Sequence, residues 1–202
     1  MEERSGPLII VAMKGHPGTG KSTLARSIAA SLHCPLLDKD DVRDATLPLE
    51  LHHPISIPLL NDLSYSTLWN LANTQLLLRI SLVIDSPLSR RSHLDRLLDL
   101  SRRHSARLIV VECVAGDIAE WKRRIETRVG DSWHKPRSWE ELQRLLQGYG
   151  GCTDYDMDGA DVEKIVVDTT TGADASGAAL AAVLRFIGSA PSQHEKKMDS
   201  SH

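Results

Sequence analysis

Gly15-His16-Pro17-Gly18-Thr19-Gly20-Lys21-Ser22 has the spacing G-x-x-x-x-G-K-S, and its neighbours are those this spacing needs. The apolar run Leu8-Ile9-Ile10-Val11-Ala12-Met13 precedes it, and Leu24-Ala25-Arg26-Ser27-Ile28-Ala29-Ala30 follows. The octet therefore reads as a loop between a strand and a helix. Glycines there let the backbone curl with its N–H groups pointing inward. The start of the following helix adds a positive dipole end. Such a loop cradles phosphates. Lys21 is expected to reach the β- and γ-phosphates of a nucleotide, and Ser22 to ligate Mg²⁺. With Thr23, residues 15–23 form the candidate nucleotide site.

A second group of chemical residues follows the short apolar pair Leu36-Leu37: Asp38-Lys39-Asp40-Asp41-Val42-Arg43. Carboxylates at a strand's end, one strand after a phosphate loop, fall on the carboxyl edge of the sheet, where open α/β sheets bind ligands. A carboxylate there could take the proton of an acceptor hydroxyl. Arg43, about one helical turn beyond Asp40, could bind an anionic group on that acceptor. The same acids also suit the start of a helix, and the two roles can coexist. Downstream, Leu82-Val83-Ile84-Asp85 is an apolar strand closing on an acid. That Asp would hold Mg²⁺ or meet the acceptor; its alternative role is to cap the next helix.

Arg124 and Arg128 lie four apart in a stretch where Ile118, Trp121, Ile125 and Val129 keep helical spacing. The stretch runs into Gly130-Asp131-Ser132-Trp133-His134-Lys135-Pro136-Arg137, which reads as a lid over about residues 124–137 with Gly130 as hinge. On one helical face, the two arginines would clamp phosphate oxygens as the lid closes. The competing reading is a surface ion pair, with Glu120 supporting Arg124. His52-His53 read as ordinary loop histidines, since no second cluster has metal-ligand spacing.

These groups need a scaffold. The 202 residues suffice for one domain with a sizeable core, expected over residues 8–188, with a flexible tail at 1–7 and a disordered Ser-, Gln- and Lys-rich tail at 189–202. Five apolar strands alternate with helical patterns, which predicts an α/β fold. It is a three-layer parallel sheet in the order 2-3-1-4-5 with helices on both faces. Residues 44–60, with Pro48, Pro54 and Pro58, are expected to be irregular. A helix of about five turns is expected from Leu60 to Ile80. The net charge of −3 argues against a broad basic surface for duplex nucleic acid. Cys34, Cys113 and Cys152 are scattered and odd in number, which suits a reducing compartment. No segment approaches the length of a membrane span, and residues 1–7 are too short and acidic for a targeting signal, so a cytoplasmic protein is expected.

On these residues the chain resembles small P-loop kinases of the polynucleotide kinase, zeta-toxin and gluconate-kinase-like group, often described as AAA-type ATPase-like. That family has a loop reading G-x-P-G-[ST]-G-K-S-T, which Gly15–Thr23 fits, and a D-D-x-R element, which Asp40-Asp41-Val42-Arg43 fits. The resemblance implies ATP and Mg²⁺ as cofactors and Asp40 as the base that accepts the hydroxyl proton. It also implies Arg43 as a ligand to an acceptor phosphate. Asp85-Ser86 is similar to an Asp-Thr pair near the acceptor, and Arg124 and Arg128 to the family's lid arginines. Asp38, Asp40, Arg43 and Asp85 are therefore the expected acceptor-side residues, with Lys21, Asp40, Arg124 and Arg128 catalytic. The expected activity is transfer of the γ-phosphoryl group of ATP to a hydroxyl of a small molecule or nucleoside. A nucleic-acid end is a less favoured acceptor. A monomer or homodimer is expected. The competing class is a nucleotide switch without an acceptor; the guanine-reading N-K-x-D is absent.

Overall fold

A computed structural model describes residues 7–52, 55–128, 135–150, 153, 155, 157 and 162–189. The two expected tails fall almost wholly outside this set. So do His53, Cys152, Val129 and the Gly130–His134 part of the expected lid.

Five parallel strands form one sheet: β1 (Ile9–Lys14), β2 (Leu36–Asp38), β3 (Leu82–Asp85), β4 (Arg107–Val114) and β5 (Glu163–Asp168). Their order is β2-β3-β1-β4-β5, as the sequence led us to expect. The apolar runs are buried on both faces, because side chains alternate across a strand and helices cover each side. Ile10, Ala12, Leu82, Ile84, Leu108 and Val110 pack against α4 (Ile57–Leu77) and α5 (Arg91–His104). Val11, Met13, Val83, Ile109, Val111 and Val167 pack against α1 (Lys21–Leu32) and α8 (Ala175–Gly188). α5 turns Leu94, Leu97, Leu98 and Ser101 inward and keeps its charged residues outside. No helix among the described residues is long and apolar enough to cross a membrane.

Two expectations change. The described part of residues 44–60 is largely helical: it holds the last residue of α2 (Lys39–Asp44), all of α3 (Leu47–His52) and the first turn of α4. Pro48 and Pro58 sit in first turns, where the missing N–H leaves no intrahelical bond unmade. The helix carrying the two arginines, α6 (Ile118–Glu126), ends at a Thr127 cap, so Arg128 lies beyond it and not on its face. Thr127 and Val129 are β-branched and Gly130 follows, a run with poor helix propensity. The helix α7 (Trp139–Tyr149) is closed by Gly150 in the left-handed conformation.

All the carboxyl ends of the strands point to one edge, which is where parallel α/β sheets assemble their sites.

Candidate active site

The loop after β1 closes on itself. Thr19 Oγ1 donates to the His16 carbonyl at 2.8 Å, and Lys21 Nζ donates to the same oxygen at 3.2 Å. Gly18 and Gly20 have φ of 81° and 78°, a region that side chains rarely adopt. Space forbids a side chain as well. A Cβ on Gly18 would lie 2.6 Å from Ile125 Cδ1, and one on Gly20 would lie 2.9 Å from Thr169 Oγ1. Gly20 caps α1, so the first amides of that helix face the loop's hollow.

Two other elements hold the loop from either side. Trp121 Nε1 on α6 donates to the Pro17 carbonyl at 2.8 Å. The Thr169 hydroxyl, just past β5, donates to the Thr19 carbonyl at 2.6 Å. Arg124 ties these flanks together: it donates to the Thr169 carbonyl at 2.7 Å and to Glu120 at 2.8 Å. The His16 ring lies between Trp121 and Tyr149, with centroids 6.3 and 6.2 Å away. Trp121 in turn meets the edge of Trp139 at 5.2 Å, which joins α6 to α7. A cavity of about 360 Å³ opens over the helix start, bordered by Gly18, Lys21, Thr23, Arg124, Arg128 and Ser176. Replacing Trp121 with Phe removes one donor to the loop and keeps a ring against His16. The expected outcome is a rise of a few fold in nucleotide Kd by calorimetry with Tm shifted by a few degrees at most.

The acids gather on the other side of Lys21. Asp38 ends β2 in register with Asp85, which ends β3. Asp38 also caps α2, accepting from the Asp40 amide at 2.9 Å. Burial first, and then the Asp85 charge, push the Asp38 carboxyl up from 3.8 to about 6. Folded protein thus holds this proton more tightly than unfolded chain. Its contribution to stability is complete below about pH 4 and is lost as pH rises through about 6. Asp38→Asn keeps a capping side chain but cannot ionise. We expect its stability advantage in urea melts to be near zero at pH 4 and, after solvent screening, about 1–2 kcal/mol at pH 7.

Asp85 is 3% exposed, and its Oδ2 has no hydrogen-bond partner among the described residues. Asp40 forms ion pairs with Lys39 at 3.2 Å and with Lys135 at 2.7 Å. Its charge also reaches Arg128. Lys21, Ser22, Asp40, Asp85 and Arg128 all border a second cavity of about 360 Å³, so the phosphate loop and the acids share one space. A buried carboxylate with an unmet acceptor beside a serine hydroxyl is a hard oxygen set that suits Mg²⁺. Among the described residues, no cluster of three or more His, Cys, Asp and Glu forms a separate metal site.

Arg43 lines the same cavity, yet it is 2% exposed and its guanidinium donates to Glu50 at 2.8 Å and Thr46 at 2.7 Å. It links α2 to α3. Glu50→Ala removes one carboxylate from this buried charge, and we expect a loss of about 2 kcal/mol in urea unfolding.

The sequence of residues 10–149, which carries the phosphate cradle and the acids at the ends of β2 and β3, is matched by one family model. The chain belongs to the AAA_33 family, an AAA domain. Solved structures of small kinases share the fold of this AAA_33 chain. A Janibacter sugar kinase superposes with a TM-score of 0.63 at 15% identity, over 92% of this chain and 97% of that one. A Sinorhizobium meliloti gluconokinase gives 0.56 at 22% identity, over 89% and 93%. The Mycobacterium tuberculosis APS kinase, solved with AMPPNP and APS, gives 0.57 at 14% identity, over 91% and 99%. No curated protein matches the sequence.

Within the AAA_33 fold, the expected residues divide in two. Lys21, Ser22, Asp40, Asp85 and Arg128 meet in one cavity. Arg124 stands on the phosphate side, bound to Thr169, while Asp38 lies beneath as a cap. Sequence reasoning did not find Lys39, Lys135, Arg90, Tyr149 or the hydrogen bond of Trp121. Trp121 was legible only as one member of a helical stripe. Lys39 and Lys135 lie inside stretches singled out for other residues, and Tyr149 reaches the site from α7, far along the chain.

Proposed function

We propose that this chain is an ATP-dependent kinase that transfers the γ-phosphoryl group to a hydroxyl of a small acceptor. The observation that carries this reading is the shared cavity: Lys21 and Ser22 of the phosphate loop and the carboxylates Asp40 and Asp85 border one cleft. A nucleotide switch needs the first pair; an acid across from it is what an incoming alcohol needs. The similarity to a sugar kinase, a gluconokinase and an APS kinase supports the same class.

In this reading the loop amides and Lys21 hold the triphosphate, and Arg124 and Arg128 face the phosphate tail. Ser22 and Asp85 would hold Mg²⁺, which supplies charge neutralisation at the phosphates. The acceptor oxygen attacks the γ-phosphorus, forming a new O–P bond as the bond from that phosphorus to the β–γ bridging oxygen breaks. The electron pair leaves with ADP, and the hydroxyl proton passes to Asp40. Excluding water matters here, because an exposed γ-phosphate would be hydrolysed. Ile57, Pro58, Pro136 and Leu145 supply apolar walls to the cavity.

The test is ADP formation from ATP with and without a panel of hydroxyl metabolites, together with labelled γ-phosphate to follow the product. Strong stimulation by one compound, with label recovered in it, is the expected result. Slow hydrolysis indifferent to every compound would instead make the chain a nucleotide switch.

A further inference from the structure

Among the described residues α4 is the longest helix, 21 residues from Ile57 to Leu77, and Asp62 is its one charged residue. One side of it, with Tyr65, Leu68, Trp69, Ala72 and Leu76, is buried in the core. The opposite side faces solvent and is apolar too. Leu59, Leu63, Leu71, Leu77 and the capping Leu78 are between 43% and 65% exposed. A helix apolar all round is normally covered all round. The outer face of α5 shows the contrast: it carries the ion pairs Arg91–Asp95, Arg96–Asp99 and Arg103–Asp99, which suit water.

The exposed residues fall in a line. Leu59, Leu63, Ser66, Asn70, Thr74 and Leu77 follow one another in steps of three or four, the spacing that keeps side chains on one helical face. The line runs for about 27 Å. It has leucine at each end and small polar residues in the middle. Turned end for end about a two-fold axis, a second copy sets Leu59 against Leu77 and Ser66 against Asn70, each pair occurring twice. Ser66 and Asn70 are small enough for the helices to approach closely and can hydrogen-bond to each other. A polar residue within such a seam fixes its register. The same rotation holds the two Asp62 carboxylates about 18 Å apart along the axis, more than twice the screening length in physiological salt. A parallel pair would set them side by side.

Three observations point to a second copy as the cover. The stripe carries no Lys or Arg, so an anionic lipid surface gains no charge attraction from it. The terminal segments 1–6 and 190–202 contain no Leu, Ile, Val or aromatic residue, so neither supplies an apolar counterpart. With the polar residues between its leucines, the face offers on the order of 800 Å² per copy, which is what a stable dimer takes from each partner. We propose that this face of α4 is the interface of a homodimer in which the two α4 helices pack antiparallel. The proposal is independent of the kinase reading.

Sedimentation of the full chain at about 50 µM is the first measurement, and the mass of two chains is the expected result. Leu59→Glu with Leu77→Glu sets four carboxylates into the seam at positions already exposed. It should weaken the dimer at least about 100-fold, with the far-UV circular dichroism of the wild type retained. Register is read by cysteine pairs, in a Cys34→Ser, Cys152→Ser background. Leu59→Cys with Leu77→Cys should give a covalent dimer on mild oxidation, and either change alone should not. Should the glutamates disturb folding, the cysteine pair decides. A wild-type chain that sediments as a monomer overturns the proposal; flotation of that monomer with phosphatidylcholine vesicles would assign the stripe to lipid instead. A dimer indifferent to both glutamates overturns it by placing the contact elsewhere. Cross-linking through Leu59→Cys alone overturns it in favour of a parallel pair.

Discussion

Lys21→Ala is expected to lose nucleotide binding and phosphoryl transfer together. Lys21 borders both cavities, so its ammonium stands where the phosphate tail and the acceptor space meet. It is 9% exposed, and its hydrogen bond to the His16 carbonyl at 3.2 Å aims it over the loop rather than into solvent. A charged hydrogen bond to a phosphate contributes about 1.5–3 kcal/mol, which corresponds to about a 10- to 100-fold weaker Kd for ATP when it is removed. Charge stabilisation in the transition state adds to this, and removing one such donor costs about 10²–10³ in rate. Calorimetry with ATP and turnover of labelled nucleotide measure the two effects separately. An unchanged Kd with an unchanged rate would show that the loop does not hold the triphosphate.

Asp40→Ala is expected to separate the two functions that Lys21→Ala is expected to remove together. The carboxylate borders the acceptor cavity and is absent from the border of the nucleotide cavity over the helix start. ATP affinity should therefore survive within about threefold. Phosphoryl transfer should fall by about 10²–10⁴, the usual cost of losing a positioned base. Lys39 loses its ion-pair partner in this variant but keeps its place over the Tyr65 ring, 5.9 Å from the centroid, so the start of α2 should persist. Full acceptor turnover by Asp40→Ala would remove Asp40 from the chemistry and direct attention to Asp85, the other acid bordering the cavity.

Much of the framework was legible because its signals are local. Leu8–Met13, Leu82–Ile84 and Leu108–Val111 read as strands because a parallel strand covered on both faces needs no polar alternation. The loop of residues 15–22 was legible because glycine, lysine and serine at fixed spacing serve one backbone shape. Residues 44–60 misled because Pro48, Pro54 and Pro58 mark breaks only inside a helix, and Pro48 and Pro58 occupy first turns. The partnership of Arg43 with Glu50, seven residues on, hides in a stretch that looked irregular. Trp121 reaches Pro17 across 104 residues, and Thr169 reaches Thr19 across 150. No periodicity encodes such pairs; only the closed fold does.

Because α6 and the turn after β5 each anchor a carbonyl of the glycine-rich loop, that loop arrives at an encounter already shaped. On the kinase reading, an incoming triphosphate would not spend its interaction energy on organising a floppy host. The same anchors make grip hostage to α6: warming that detaches this short helix will release the ligand while the sheet is still intact. With Trp69 and Trp133 replaced by Phe, fluorescence of Trp121 and Trp139 should therefore report nucleotide departure at a lower temperature than circular dichroism reports melting of the strands.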